Sequence, residues 1–572
     1  MFEERPSPIV ASAASARKLP RMALLALLII FIIPGLLSRD FWSSYELTEF
    51  ALVQSMLQSD AAGWLLPTLG GTEYVTDGPL TIWISALFAK LFGFLFSEGS
   101  ASRLSVLVWF AIASSSIWYG TWYLARRAEA QPVVLAFGGQ ASPIDYGRVV
   151  ADAALLMFVA TFGLFVPIRQ LYVETALLAI VAAFYFSLAW TLRRDILAPL
   201  LTGITIGASV LTANLFAGIV LLVIALFIHA RVHAYETPFI NRATLIIVAA
   251  SATFFIWPIL AVAVAIETVD AWFALWWQAQ LAFISGISSS DLYWIVENCI
   301  WFLWPLWPFA LLGLYAFRKQ LDRTHIKLPL WMFVGLFVLS LAGEVSGDRF
   351  MMMLTVPLSV LGAFGLLSAR RSRENILDWF SATVFTLALI ALWLYFFAWQ
   401  TGMPPKMYKS ILNLAPGISS SFHGLLFVLC FVTFLVWLAL VLWRMNHSQI
   451  VAWKGPWLAA AGITALSVTT VYLFEPVIDR ARSYEPIVHE TLTDYHAHAS
   501  AGDCLTAENI DPVKESMLVY YGLPLTKNNA CRFVFTTDEA FADNLYDESS
   551  VLGRYSRPRD RERFVLFETG KE

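Results

Sequence analysis

Charge is what this chain has least of. Asp, Glu, Lys and Arg make up only 14% of its 572 residues, where a soluble globular chain carries about 25%. A wholly soluble chain is excluded on that ground. The sparse cations form no basic stripe, and no zinc-finger or helix-turn-helix spacing is present, so nucleic-acid binding has no footing. No His/Asp/Glu cluster has metal-ligand spacing, so a divalent metal is compatible with the chain but not called for. The first apolar run, "MALLALLIIFIIPGLLS", lacks the small-residue cleavage site that follows a signal peptide.

What is there is hydrocarbon. Apolar residues reach 58% and aromatics 15%, with a mean hydropathy of +0.67. Apolar runs of about 17–24 residues recur from Met22 to Phe474, and each can cross a core of roughly 30 Å as a helix. The fold class expected is an all-α polytopic membrane domain over 22–474, with a cytoplasmic N-terminal tail, 1–21, that is mobile. Fourteen segments qualify, from 22–38, 79–96 and 104–124 through to 457–474.

Short basic loops fix the sides, because Lys and Arg collect in the cytoplasm. "RKQLDRTHIK" from Arg318, "RRSRE" from Arg370 and "RMNHSQIVAWK" from Arg444 are such loops. Counting outward from them collides once, near Arg126 and Arg127. One early segment is therefore tilted, re-entrant or interfacial, and about 13 true crossings remain.

The polar residues that remain gather on the other face. A loop over 39–78 holds "YELTEFALVQSMLQ", whose Leu47, Phe50, Ala51, Val53, Met56 and Leu57 make one apolar face. It reads as an amphipathic helix on the membrane. Glu46 stands at its start, where the helix dipole favours a carboxylate; a plain N-terminal helix acid is the simpler alternative. Glu174 heads a later span on the same face, five residues after Arg169, with which it could merely pair. Asp152 falls nearer the cytoplasm. Arg349, in "GEVSGDRF", could hold a phosphate or anchor its helix in headgroups.

The stretch "GWLLPTLGGTEYVTDGPLTIWISALFAKLFG" then carries a resemblance. "GWLLP" at Gly63–Pro67, Tyr74, Pro79–Leu80, Trp83, Ala86 and "LFG" at Leu91–Gly93 match in order and spacing the first loop of the GT-C glycosyltransferases. The pattern is most similar to lipid A aminoarabinose transferases and protein O-mannosyltransferases. The resemblance implies transfer of a sugar from a polyprenyl-phosphate carrier, at the outer face of a bacterial inner membrane, to lipid A, another glycan or a protein. Glu46 and Glu174 are the catalytic candidates, Glu46 as general base or acceptor-orienting group. Tyr45, Tyr74, Asp77, Arg39, Arg169 and Arg349 are the substrate-binding candidates. The sequence departs from the family at three points. Tyr45 replaces an Asp, Asp77 a Lys, and Ala213–Asn214 a later Lys-Gly. Arg39, Arg169 and Arg349 are the cations available instead. A non-catalytic lipid or glycan transporter, or an assembly partner, is the competing reading.

From Glu475 the chain turns polar. Residues 475–572 are expected to form a small periplasmic α/β or α+β domain. Cys504 and Cys531 are its only cysteines, and a disulfide between them fits an oxidising compartment; two free thiols are the alternative. Cys299 and Cys430 sit in or beside apolar spans as small hydrophobes. His489, His496 and His498 read as an exposed polar helix rather than a metal site.

Overall fold

The computed structural model describes residues 7–135, 138–193, 196–282, 289–340, 348–369, 371–446, 451–500, 502–526, 531–543, 546–558 and 560–569. Among these, seven helices are long and apolar enough to cross a membrane, and nine if each of two bent pairs counts as one. Five further apolar helices have only 10–17 residues, and the expectation of about 13 crossings rested on counting such short pieces. At 1.5 Å per residue they fall short of a ~30 Å core unless the bilayer thins.

The first turn of the architecture builds one face. Helix α1 (Arg21–Ile32) runs into a loop, then α2 (Ser44–Gln58), the short α3 (Ala61–Leu65), the two-residue strands β1 (Thr68–Leu69) and β2 (Thr72–Glu73), and α4 (Leu80–Phe92). Helix α5 (Glu98–Arg103) continues into α6 (Ser105–Ala125). Helix α4, with 13 residues, is one of the shorter apolar helices. Its Trp83 indole donates to the Trp64 carbonyl (2.5 Å), and its Lys90 ammonium lies 4.4 Å from the Trp64 ring centroid. Ser100, just beyond its far end, donates to the carbonyl of Leu37 on the same face. These contacts tie α4 to α3, and the start of α5 to the loop ahead of α2.

Two helix pairs are sharply bent, one of them Tyr293–Phe302 with Leu306–Ala316 at 94°. Helix α7 (Pro143–Val159) bends by 60° into the 162–169 segment, which leads to α8 (Val173–Thr191). Helices α9 (Leu197–Thr212) and α10 (Leu215–Arg231) form the short pair expected from the sequence, with Asn214 capping α10 through Ala217 N–H. Their turn meets the "TDG" bend: Gly78 N–H donates to Ala213 O (2.8 Å). A methyl on Gly78 would sit 2.2 Å from Leu211 O. Only glycine fits there.

Residues 7–20 are not a free tail. Ile9 is fully buried, Ser12 bridges to Gln140, and the Trp453 indole donates to Arg17 O. Its small, polar composition hid four apolar anchors, Ile9, Ala11, Ala16 and Leu19, that pack into the main core.

The last long helix, Lys454–Arg482, delivers the polar tail to the face that carries α2. There the strands β3 (Leu505–Glu508), β4 (Leu525–Thr526), β5 (Phe533–Thr537), β6 (Val551–Tyr555) and β7 (Phe564–Glu568) form one sheet. Its order is β4-β3-β5-β7-β6. The β3–β4 and β3–β5 pairs are parallel, and β7 runs antiparallel to both neighbours. A disulfide joins Cys504 and Cys531, with Cα atoms 5.0 Å apart. The sheet shares an apolar cluster with α2 and α4, through Phe50, Met56, Ile82, Met517 and Phe535. The tail domain is thus packed onto the loop face by hydrophobic burial.

Candidate functional site

The site grows from the N-terminus of α2. Ser43 caps that helix by accepting from Glu46 N–H, which fixes Glu46 in the first turn, pointing back at the preceding loop. Arg39 meets it as a fork: Nη1 donates to Oε2 and Nη2 to Oε1, both at 2.7 Å. Arg103, at the end of α5, adds Nε to Oε1 at 3.0 Å. The backbone N–H of Leu171 donates to Oε1 (3.2 Å) and that of Trp42 reaches Oε2 (3.4 Å). Glu46 is 0% exposed, and both arginines are buried.

This geometry bears on the role expected of Glu46. Burial alone would raise its carboxyl, but the charges of Arg39 and Arg103 outweigh that and hold it at about 2. Both oxygens are saturated, and a carboxylate held so low is a poor proton acceptor. Glu46 is an ionic anchor that ties three segments together: the loop at Arg39, α5 at Arg103 and the lead into α8 at Leu171.

Arg169 arrives on the bent segment after α7. Its Nε donates to Phe31 O at 2.8 Å, its other nitrogens reach the carbonyls of Phe31 and Phe165, and its guanidinium lies 4.3 Å from the Phe31 ring centroid. The simple pairing with Glu174 does not occur: among the described residues, Arg169 has no carboxylate partner. Beside it opens a cavity of about 430 Å³, walled by Arg39, Trp42, Tyr45, Arg169, Tyr172 and Arg482. Tyr45 is 45% exposed and meets Tyr172 edge-on at 6.0 Å, while the Tyr172 hydroxyl donates to Ser43 Oγ (2.6 Å).

The other candidates fall around this cavity or away from it. Glu174 is buried in the first turn of α8, two residues beyond Tyr172. Tyr74 and Asp77 bond to one another, Oη to Oδ2 at 2.7 Å, in the bend that docks on the α9–α10 turn, and neither walls the cavity. The side chain of Arg349 lies outside the described residues. His489, His496 and His498 lie on one helix, Glu485–His498. No group of three or more His, Cys, Asp or Glu that could hold a metal occurs among the described residues.

Sequence reasoning missed Arg103, Asp40, Trp42, Asp479 and Tyr521. Asp479, on the last long helix, accepts from Trp42 Nε1 (2.6 Å) and Asp40 N (3.1 Å), and the Tyr521 hydroxyl donates to Asp40. The loop is thereby tied to the last span and to the tail domain by hydrogen bonds. Arg103 carried no visible signal, since an arginine heading a span reads as a headgroup anchor. The adjacent "RDFW" was a signal, because a charged pair abutting two aromatics in an outer loop has little reason to stay in water.

No protein-family model and no curated protein matches this sequence. Among solved structures the chain is similar to ArnT from Cupriavidus metallidurans bound to undecaprenyl phosphate, with a TM-score of 0.64 and 14% identity over 96% of this chain and 97% of that one. The apo structure of that ArnT gives a TM-score of 0.61 and 13% identity, covering the same shares. At that identity the likeness is one of fold. ArnT, the lipid A aminoarabinose transferase, is a GT-C glycosyltransferase, so the fold expected from the first-loop motif is the fold found.

Proposed function

We propose that this chain is an inner-membrane glycosyltransferase that moves a sugar from a polyprenyl-phosphate-linked donor to an acceptor at the Glu46 face. The observation that carries the reading is Arg169. A buried guanidinium beside a cavity, with no carboxylate of its own, leaves an anion to be supplied from outside. Arg39 and Arg482 add positive potential to the same walls, and the Glu46 carboxylate is already shared by two arginines. A phosphate attached to a hydrocarbon chain suits such a place, at the edge of the membrane domain and open to its helices. That the similar ArnT structure holds undecaprenyl phosphate supports the choice of anion.

In this reading the lipid phosphate is the leaving group, and Arg169 stabilises the charge that develops on it as the sugar–oxygen bond breaks. The acceptor oxygen attacks the anomeric carbon from the opposite side, with inversion. Tyr45 and Tyr172 present an aromatic wall for the sugar ring. Glu46 positions Arg39 and does not take the proton. If the acceptor is a hydroxyl, Glu174 is the carboxylate proposed to accept that proton; an acceptor phosphate needs no base.

The acceptor is lipid A, another glycan or a protein on the periplasmic side, covered by the tail domain. The test is the glycan and lipid mass profile of a deletion strain. Loss of one sugar mass from a cell-envelope species, restored by the intact gene and not by an Arg169→Met version, is expected. An unchanged profile, with no labelled sugar incorporated by membranes containing the protein, contradicts transfer and favours a transporter or assembly partner.

A further inference from the structure

An open groove runs between α1 and α6. It has a volume of about 430 Å³ and is walled by Leu25, Leu28, Ile29, Ala111, Ser115 and Tyr119, with Arg21 at its end. Leu25, Ile29 and Tyr119 are half exposed, so the groove opens toward the hydrocarbon around the protein. Small residues on α6, Ala111 and Ser115, keep the groove open.

The groove has a depth and a charge. Helix α1 is 12 residues long, about 18 Å at 1.5 Å per residue, or a little over half of a ~30 Å hydrocarbon core. That is the depth of one leaflet. At the deep end α1 leads to the site, and at the other end Arg21 is held in place. Its Nη1 donates to Asp152 Oδ1 at 2.6 Å, and its guanidinium lies 4.7 Å from the Trp118 ring centroid. The Trp118 indole also donates to Asp152 (2.7 Å). Arg21 remains 45% exposed. Lys18 and Arg17 are exposed beside it in sequence, and Lys18 and Arg148 share the single carboxylate of Asp145 at 3.7 and 3.6 Å. Four cations thus face two carboxylates at the mouth. Trp118 and Tyr119 mark it as interfacial depth.

We propose that this groove is a binding site for an anionic phospholipid of the leaflet opposite the Glu46 face. One acyl chain lies between α1 and α6, and the headgroup phosphate meets Arg21 and Lys18. The leaflet-length groove selects a phospholipid over a polyprenyl chain, which needs more than one leaflet's depth. The excess positive charge selects an anionic headgroup over a zwitterionic one. Because the site is distinct from the Arg169 cavity, its success or failure is separate from the proposed transfer.

The test uses the full-length protein in detergent, with phosphatidylglycerol or phosphatidylcholine added in equal amounts, and native mass spectrometry as the readout. One phosphatidylglycerol should be retained per chain in preference to phosphatidylcholine. Ala111→Trp, which fills the groove from its lipid-exposed wall, should lose it. The pair Arg17→Gln and Lys18→Gln, both on exposed side chains, should cut the preference by roughly tenfold with an unchanged melting temperature. A photoactivatable phosphatidylglycerol should crosslink to 21–32 and 107–119. Equal retention of phosphatidylcholine, or the same preference in the charge variant, overturns the proposal. So does equal competition by undecaprenyl phosphate, which would make the groove a carrier-lipid site.

Discussion

Arg39 and Glu46 meet fork to fork, two 2.7 Å contacts between a guanidinium and a carboxylate that are both out of reach of water. Such a pair repays its desolvation only when its geometry is good and its remaining hydrogen-bonding positions are filled. Here Arg103, Leu171 and Trp42 fill them. Replacing Glu46 with Gln would leave two buried guanidinium groups sharing one neutral amide. The expected cost is about 3–5 kcal/mol of stability, read as a fall in melting temperature, together with loss of activity. A Glu46→Gln protein that melts normally and is merely inactive would restore Glu46 as a base.

The same pair sets a pH response. The Glu46 carboxyl is held at about 2 in the fold, below its ordinary value of 4.5. A depressed carboxylate contributes stability that is fully present above the unfolded value and is lost as pH falls through the folded one. Stability from this group should be flat between about pH 5 and 8 and should fall between about pH 4.5 and 2. Melting curves of the wild type and of Glu46→Gln should converge across that acid window. Parallel curves would place the acid sensitivity elsewhere.

Gly78 closes the bend onto the α9–α10 turn, and the atoms a methyl would strike are backbone: Leu211 O at 2.2 Å and Val210 O at 2.7 Å. Neither can swing aside as a side chain could. Gly78→Ala should cost about 1–3 kcal/mol and should loosen the 70–78 stretch, measured as faster proteolysis of that loop. A variant that melts and resists protease like the wild type would mean the bend is not docked on the turn.

How much of this could be read from the residues differs from place to place. The spans, the outer loop and its helix from Tyr45 to Gln58 follow from hydrophobic run length and period, which act locally. The first-loop motif found the fold. Which early segment fails to cross could not be read, because an apolar helix on an outer face and one that crosses share the same composition. Arg103 and Asp479 were also beyond reach, since they meet Glu46 and Trp42 across 57 and 437 residues of chain. The N-terminal segment misled for another reason. A few apolar anchors in a small, polar stretch suffice to seat a chain whose partners are already folded.

The Cys504–Cys531 bridge closes a loop across a sequence separation of 27. On the chain-entropy relation it should stabilise the tail domain by about 3–4 kcal/mol. In denatured protein, Cys299 and Cys430 should label with a thiol reagent at once, and Cys504 and Cys531 only after reduction. Labelling of all four before reduction would remove the bridge, and tail labelling by an impermeant reagent only from the cytoplasmic side would reverse the topology.

The most direct measurement is the affinity of purified full-length protein for undecaprenyl phosphate, compared with Arg169→Met and Arg169→Lys. Binding by the wild type is expected, weakened roughly tenfold to a hundredfold in Arg169→Met by loss of charge-assisted hydrogen bonds. Arg169→Lys, which keeps the charge and loses the fork, should fall between the two. No binding by the wild type, or equal binding by all three proteins with equal melting temperatures, would contradict a lipid-phosphate site at Arg169.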